Sequence, residues 1–224
     1  MNGIICKDKI EVPNFPIEIV DARQKYGPKF WWDPKDDPRN CRPRLQPILG
    51  GVIHHQAGEG DADNTFNVLN ARPKKGGGFF YLSVHFEIDQ KGIITQMADL
   101  ATVCQHAGDA NEWSWGVEIA SLGRPPASSH WPRDIYWDEM HGVHCQYLAF
   151  YDVQMEACLK LVRAVHQILG IGTRIAVDAN GKALRRVLTE KEMGEHEVFA
   201  HFNLTDNKPD PSPHLMDYLA ANLP

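Results

Sequence analysis

Apolar and polar side chains alternate without a break over residues 81–89, and this pattern constrains the fold of the chain most strongly. One face of the segment carries the apolar residues and the other the polar ones: Leu82, Val84, Phe86 and Ile88 against Ser83, His85, Glu87 and Asp89. A period of two residues predicts a β-strand that buries one face. A turn sequence at residues 89–92 predicts that residues 93–97 form its hairpin partner.

The remaining periodic segments predict an α/β fold. Strands are expected at residues 48–55, 115–122 and 198–202, and helices at residues 152–169 and 215–222. The longer helix is expected to have Asp152 as its N-cap and to end at Gly170, because glycine commonly terminates helices. Hairpin strands combined with few helices favour a mixed central β-sheet flanked by helices over a doubly wound parallel sheet.

Two stretches depart from this periodicity. In residues 1–47 prolines surround a cluster of aromatic residues, at Pro28, Phe30, Trp31, Trp32, Pro34, Pro38, Pro43 and Pro47. Because proline at this density excludes a regular helix or central strand, we expect an irregular N-terminal extension, packed by its aromatic rings on a single domain of residues 48–224. The alternative is that these rings line a substrate groove. Residues 124–145 are expected to form an excursion loop.

Composition and charge exclude several classes of function. The 224 residues carry a formal net charge of −6 and no basic tract, so neither nucleic acid nor an anionic membrane is expected as a partner. The longest apolar run, residues 147–151, is far shorter than the roughly 18–20 residues of a transmembrane helix. Charges within residues 7–11 interrupt any signal-peptide core, so synthesis in the cytoplasm is expected. The five cysteines form no Cys-x-x-Cys pair and are expected to be reduced, in a monomeric protein.

Two histidines on predicted strands are candidate metal ligands. His54 lies at the end of the first predicted strand, His201 lies on the last, and Asp210 follows nine residues later between two prolines. Two histidines and one carboxylate leave a fourth tetrahedral position open, which is typical of a catalytic zinc site rather than a structural one. Taken singly, each histidine is more typical of a structural residue, and the spacing alone does not bring the three side chains together.

A second set of candidate ligands lies in the 124–145 excursion. His141, His144 and Cys145 are close in sequence, and His130 is nearby. These side chains could bind zinc if the segment were helical. The surrounding tryptophans and prolines favour ordinary loop packing instead.

Several short motifs, taken in order, resemble those of the type 2 N-acetylmuramoyl-L-alanine amidases. That superfamily includes phage endolysins, peptidoglycan recognition proteins and bacterial enzymes that recycle anhydromuropeptides. The resemblance rests on Val52-Ile-His-His-Gln-Ala-Gly58, Ser83-Val-His-Phe-Glu-Ile-Asp89, His106-Ala-Gly108 with Asn111, Trp115-Gly-Val-Glu-Ile119, Gln154, and His201 followed by Lys208-Pro-Asp-Pro211. It covers about residues 48–217. Each motif is weak alone, but their common order and rough spacing are specific.

The resemblance implies a role for individual residues. It implies zinc as the cofactor, with His54, His201 and Asp210 as its ligands. Glu118 matches the glutamate that activates the attacking water in the recycling-type branch, and Lys208 matches a lysine that steadies the developing oxyanion. Five residues are expected to take part in substrate binding. His106, Ala107 and Gly108 match a loop against the substrate, Asn111 matches the residue that shapes this loop, and His85 could contact the substrate or instead support the sheet.

The sequence departs from the family pattern in residue type at two places, and its spacing from His201 to Asp210 is about one residue shorter than in some relatives. The tyrosine that endolysins and recognition proteins place before the His-Phe pair is Val84 here, so the resemblance assigns the proton transfer to Glu118. The usual Asp-Pro-Gly-Pro is Asp210-Pro-Ser-Pro213, a change between small residues that we expect to be tolerated.

The resemblance therefore predicts a zinc-dependent amidase that hydrolyses the amide between the lactyl group of N-acetylmuramic acid and L-Ala of the peptidoglycan stem peptide. A module that binds peptidoglycan or muropeptide without cutting it is the alternative, and hydrolysis of an unrelated amide is a third possibility. Both a cytoplasmic recycling enzyme and a phage-type lysin released to the cell wall fit the sequence. The N-terminal extension and the excursion favour polymeric wall as the substrate.

Overall fold

The computed structural model describes residues 1–70, 72–125 and 133–224. Its strands are β1 (Ile4–Cys6), β2 (Lys9–Glu11), β3 (Ile19–Asp21), β4 (Cys41–Pro43), β5 (Gly50–His55), β6 (Arg72–Pro73), β7 (Phe79–Phe80), β8 (Phe86–Ile88), β9 (Ile94–Gln96), β10 (Thr102–Cys104), β11 (Ser114–Ile119), β12 (Ile135–Met140), β13 (Val143–Leu148) and β14 (Val198–Ala200). Its α-helices are α1 (Ala22–Lys25), α2 (Ala62–Asn70), α3 (Asp152–Leu169), α4 (Glu190–Glu195) and α5 (Pro213–Asn222), and short 3-10 turns span Pro28–Phe30, Gly108–Glu112 and His201–Asn203.

Within the described residues, six strands form one mixed sheet in the order β14-β5-β11-β8-β9-β3. The first four strands are parallel to one another, and β8 and β9 form the antiparallel hairpin predicted from the alternation. Gly92, in the turn of this hairpin, has a φ of +74°, which glycine adopts without strain. The predicted mixed sheet flanked by helices is confirmed.

Helix α3 covers one face of the sheet. It packs on Trp115, Val117 and Ile119 of β11, whose six residues are all buried. The side chain of Gln154 donates to the carbonyl oxygens of Asp89 (3.1 Å) and Ala120 (2.8 Å), which attaches the helix to two strands. The helix ends at the predicted Gly170, but its N-cap is Tyr151 rather than Asp152, which is the first helical residue.

The opposite face of the sheet is covered by α2 and by the N-terminal residues. Trp32 is fully buried there and stacks on Phe66 of α2, with 4.8 Å between the ring centroids. Residues 19–21 were expected to be irregular, but they form β3, which pairs with β9 at the edge of the central sheet. This strand forms because it precedes the proline-dense run that begins at Pro28.

Two further sequence predictions require correction. The excursion at residues 124–145 contains most of an antiparallel hairpin of β12 and β13, although residues 126–132 lie outside the described part of the chain. The strand predicted at residues 198–202 ends at Ala200, and His201 begins a 3-10 turn instead of lying on the strand. Among the helices of the described residues, none is both long and apolar enough to cross a membrane.

Candidate metal centre

Three potential metal ligands meet at the carboxyl ends of two parallel strands. His54 is the fifth residue of β5, and His201 directly follows β14, whose Ala200 is in register with Ile53. Carboxyl ends of adjacent parallel strands lie at the same edge of a sheet, which is where open α/β sheets place their sites. Asp210 reaches this edge on the following loop, where its backbone oxygen accepts a hydrogen bond from the amide of Phe202 (3.0 Å).

The three side chains present one atom each to a common point. The Nδ1 atoms of His54 and His201 are 3.0 Å apart, and Oδ2 of Asp210 lies 3.3 Å from the first and 3.2 Å from the second. In the part of the chain that the structure describes, this is the group of His, Cys, Asp and Glu side chains that could hold a metal ion. Two imidazole nitrogens and one carboxylate oxygen are donors that suit Zn²⁺.

Burial and hydrogen bonding together set the protonation states that metal binding requires. Burial lowers the pKa of His54 to about 4, so the imidazole is neutral near pH 7. Burial alone would raise the pKa of Asp210, but hydrogen bonds with His201 and His54 hold that pKa well below its usual range. Neutral imidazole and ionised carboxylate are the forms that ligate metals.

Glu118 stands beside the three ligands on the next strand. Its Cα is in register with that of His54 between β11 and β5, so the two side chains project from the same face of the sheet. Burial, reinforced by the charge of Asp210, raises the pKa of Glu118 to about 8. A carboxyl group with a pKa near neutrality can both take and return a proton.

These residues line one cleft of about 800 Å³, together with Lys208 and Arg72. Lys208 is exposed on the loop that leads to Asp210, and its positive charge lowers the pKa of Glu118. A second groove, of about 910 Å³, lies on the other side of His201 and is lined by Ala107 and Gly108. Both loop residues therefore lie beside a groove that the candidate ligand His201 also lines.

Asn111 shapes the loop that carries these residues. It is buried, and its Oδ1 accepts hydrogen bonds from the backbone amides of His106 (2.9 Å) and Ala107 (2.7 Å). Its Nδ2 donates to Oε1 of Gln105 at 3.0 Å. Because its polar atoms are engaged within the protein, Asn111 holds the loop and does not itself face the cleft.

The substrate-binding role predicted for His85 does not fit its placement. The side chain is fully buried. Its Nε2 lies 2.9 Å from the carbonyl oxygen of Thr102, and its Nδ1 accepts from the amide of Gly116 at 3.1 Å. Both ring nitrogens are thus bonded to backbone, and His85 supports the sheet, which was the other role considered for it.

The second set of candidate ligands does not converge. His144 is exposed on β13 and faces Glu139 across the hairpin, whereas the neighbouring Cys145 is buried on the other face, where it accepts from Arg124 at 3.2 Å. His141 lies in the hairpin turn, near the backbone oxygen of Lys208 (3.4 Å). His130 lies outside the described residues. Consecutive strand residues point to opposite faces, so this hairpin separates His144 from Cys145.

Two polar side chains near the centre were missed from the sequence. Glu87 is in register with Glu118 on β8, it is fully buried, and neither of its carboxyl oxygens has a hydrogen-bond partner among the described residues. Burial raises its pKa well above the ordinary range. Its place on the polar face of the predicted strand was the available signal, but that pattern gave no indication that α2 covers the face. Arg72 lines the cleft from a basic, glycine-rich segment that carried no motif.

The sequence matches a protein family described as N-acetylmuramoyl-L-alanine amidase over residues 44–213. Comparison with curated proteins gives no match. Among solved structures, the chain is similar to Drosophila peptidoglycan recognition protein SD, with a TM-score of 0.54 and 16% identity over 93% of this chain and 95% of that one. Drosophila PGRP-LB gives a TM-score of 0.52 and 12% identity over 92% and 94%. These two likenesses support the fold alone.

A further similarity is to the N-acetylmuramyl-L-alanine amidase AmiD from E. coli, solved in complex with its substrate anhydro-N-acetylmuramic acid-L-Ala-D-gamma-Glu-L-Lys. The TM-score is 0.38, with 21% identity over 55% of this chain. The matched region spans 45% of that enzyme chain.

Proposed function

Because the chain belongs to the N-acetylmuramoyl-L-alanine amidase family, we propose that it is a zinc-dependent enzyme of that activity. It hydrolyses the amide between the lactyl group of N-acetylmuramic acid and L-Ala of the peptidoglycan stem peptide. The observation that carries this proposal is the convergence of His54 Nδ1, His201 Nδ1 and Asp210 Oδ2 at the floor of a cleft.

The three ligands suit the electrophilic role of a metal. Two neutral imidazoles and one carboxylate leave bound Zn²⁺ with a net charge near +1. When bound, zinc polarises a carbonyl group and lowers the pKa of water from about 15.7 towards about 7. His54 and Asp210 are buried, so their positions are fixed by packing before any substrate arrives.

Glu118 carries the proton. Its carboxylate takes a proton from the attacking water and passes it to the leaving amine nitrogen of L-Ala. In the metal-free protein burial raises the pKa of this carboxyl to about 8, so Glu118 binds a proton more readily than an exposed glutamate does, as a group that takes a proton from water must. Its register with His54 keeps it beside the point where the ligands converge.

Lys208 stabilises the negative charge that develops on the carbonyl oxygen. Lys208 lines the same cleft as Glu118. It lies two residues before Asp210, on the loop that carries this candidate ligand, so its ammonium group lies near the metal centre. Removing one such donor typically costs roughly 2.7–4 kcal/mol of barrier. The groove past Ala107 and Gly108 holds a part of the substrate that extends beyond the scissile bond.

The test is mass analysis of the products from purified peptidoglycan and from a soluble anhydromuropeptide, each with and without a chelator. The proposal predicts release of peptides with a free N-terminal L-Ala, and no release after chelation. Comparison of the two substrates identifies whether the enzyme acts as a wall lysin or on soluble fragments. Retention of muropeptide without cleavage by zinc-loaded protein would refute the enzyme and support the binding module. Cleavage of a different amide would refute the substrate.

A further inference from the structure

The candidate ligand His54 has a second ring nitrogen with its own partner. Nδ1 of His54 faces His201 and Asp210, and Nε2 on the far side of the ring lies 3.0 Å from Nδ1 of His106. A histidine that binds a metal through one nitrogen carries its proton on the other, and it usually donates that proton to a carboxylate, a backbone carbonyl or water. Here the atom within hydrogen-bond distance is an imidazole nitrogen.

We propose that His106 is a positioning residue, whose Nδ1 accepts the Nε2–H of His54 and so fixes the tautomer and the ring plane of that ligand. This inference rests on the proposed function in one respect, namely that His54 binds zinc through Nδ1. It assigns His106 a role different from the substrate contact expected from its place in the His-Ala-Gly motif. The two ring planes cross at 90°, with 5.2 Å between their centroids.

Ser114, the partner of the other ring nitrogen of His106, sets the tautomer that lets His106 accept from His54. Nε2 of His106 lies 3.4 Å from Oγ of Ser114, and that hydroxyl donates its hydrogen to the backbone oxygen of Ala110 at 2.6 Å. Since the serine hydrogen is already used, Oγ can only accept, and the proton of His106 resides on Nε2. Nδ1 therefore keeps its lone pair for His54. In the chain from His54 through His106 and Ser114 to the backbone oxygen of Ala110, each hydrogen bond thus has one donor and one acceptor.

The surroundings of His106 hold its ring in this position. The side chain of Asn111 binds the backbone amides of residues 106 and 107, which fixes the Cα from which the ring projects. Beneath the ring lies Gly116, where an added Cβ would be 2.6 Å from Nδ1 of His106. The ring of His85 meets it edge-on, with 6.0 Å between centroids. Glycine at residue 116 thus provides the space that the ring occupies.

A neutral acceptor has a consequence for the charge of the centre. A carboxylate in the place of His106 would fix the ring of His54 equally well, but it would add a negative charge 3.0 Å from a ligand atom. An imidazole orients the ligand and leaves the net charge of the centre near +1. This arrangement preserves the ability of the metal to attract electrons from a carbonyl group.

The test measures zinc affinity by competition with a chromophoric chelator, in four folded proteins. His106→Leu removes the acceptor, and we expect its zinc dissociation constant to rise about 10- to 100-fold. His106→Asn places a carbonyl oxygen near the position of Nδ1, and it should restore affinity to within a few-fold of wild type. The matched control is His166→Leu, which removes a buried histidine that accepts from Trp115 on the opposite face of the sheet. That variant should lose stability but bind zinc as tightly as wild type.

Two further measurements keep the inference testable if His106→Leu does not fold. Gly116→Ala displaces the ring while leaving His106 in the chain, and it should weaken zinc binding in the same direction. Long-range ¹⁵N correlation spectra of the zinc-loaded wild type should place the protons of His54 and His106 on Nε2 of each ring. Wild-type affinity in folded His106→Leu would overturn the inference. If that variant does not fold, wild-type affinity in Gly116→Ala or a proton on Nδ1 of His54 would overturn it.

These readouts separate the inference from the proposed function, because none of them uses cleavage. Zinc-loaded wild-type protein that does not cut muropeptide would overturn the enzyme activity and leave the role of His106 intact. Cleavage of muropeptide together with unchanged zinc affinity in His106→Leu would overturn only the role of His106.

Discussion

Replacing Glu118 by Gln is predicted to remove most turnover and, in the metal-free protein, to increase stability. The amide has nearly the shape of the carboxyl group, so the cleft is preserved, but it cannot take a proton from water. A positioned general acid–base group typically contributes about 10²–10⁴-fold in rate, which corresponds to about 2.7–5.5 kcal/mol of barrier. We expect kcat to fall by that factor, with KM and zinc content close to those of wild type.

The gain in stability follows from the burial of the same side chain. Glu118 is 9% exposed, and its Oε2 has no hydrogen-bond partner among the described residues. Burial raises its pKa from 4.5 to about 8, so the folded state binds the proton more tightly than the unfolded chain does. Ionisation of the carboxyl therefore adds no cost in stability below pH 4.5, and the cost that it adds increases with pH until about pH 8. At about 1.36 kcal/mol per pH unit, the cost in metal-free protein reaches the order of 5 kcal/mol at pH 8.

The assay combines steady-state kinetics on a soluble muropeptide with urea unfolding of the metal-free proteins at pH 5 and pH 8. Glu118→Gln should exceed wild type in free energy of unfolding far more at pH 8 than at pH 5. The matched control is Glu156→Gln, which removes an exposed carboxyl on α3 and should change neither quantity. A kcat within tenfold of wild type would refute the assignment of the proton transfer. A stability difference that does not grow with pH would refute the account of burial.

Four further variants test other features of the protein. Glu87→Gln should also raise stability increasingly above pH 4.5, because burial raises the pKa of Glu87, and thermal unfolding of the metal-free proteins across pH measures this. Lys208→Ala should lower kcat by a factor of roughly 10²–10³ without weakening zinc binding. Steady-state kinetics measures the first effect and metal analysis the second, and an unchanged kcat or a loss of zinc would contradict the role of Lys208. Arg185→Met breaks bonds to carboxylates on both β12 and α5, so urea unfolding should show a loss of roughly 1.5–3 kcal/mol. Arg186→Met, which breaks a more exposed pair, should cost less than about 1 kcal/mol.

Alternation along the chain was sufficient to predict the central hairpin, but the predicted burial of a single face was wrong, because β8 is buried on both faces. The alternation overestimated the length of the first strand. A strand was predicted at residues 81–89, but only Phe86–Ile88 are paired as a regular strand. The backbone before it is nevertheless tied to neighbouring segments, because the amides of Ser83 and His85 donate to the oxygens of Gln105 and Gly116. An extended segment and a strand share the same period of two, so the pattern does not distinguish them.

The β12–β13 hairpin escaped prediction because apolar residues occupy both of its faces. Tyr136 and Met140 face the protein, yet the outer face carries Ile135 and Trp137, which are 46% and 66% exposed. Mixed polarity on both faces removes the alternation that identifies a half-buried strand. The sequence pattern therefore resembled an irregular loop.

At the metal centre, the residue types were predictable but their contacts were not. Family motifs indicated that His54, His201 and Asp210 are the metal ligands. Their side chains are separated by as many as 156 residues in sequence, and they approach one another because β14 and β5 pair in parallel. The inward direction of His106 depends on Gly116 and Asn111, which act through tertiary contacts that no local pattern contains. Motif resemblance therefore indicated that His106 belongs to the site, where it does line the cleft, but it did not indicate the contact of this ring with His54.

The most direct test of the central claim is a titration of metal-free protein with zinc, while release of peptide with an N-terminal L-Ala from muropeptide is followed. The account predicts that the rate rises linearly and stops rising at about one zinc per chain. His201→Ala, which removes one of the three ligands, should show no such break. Full activity before any zinc is added, or none at any zinc concentration, would contradict the account.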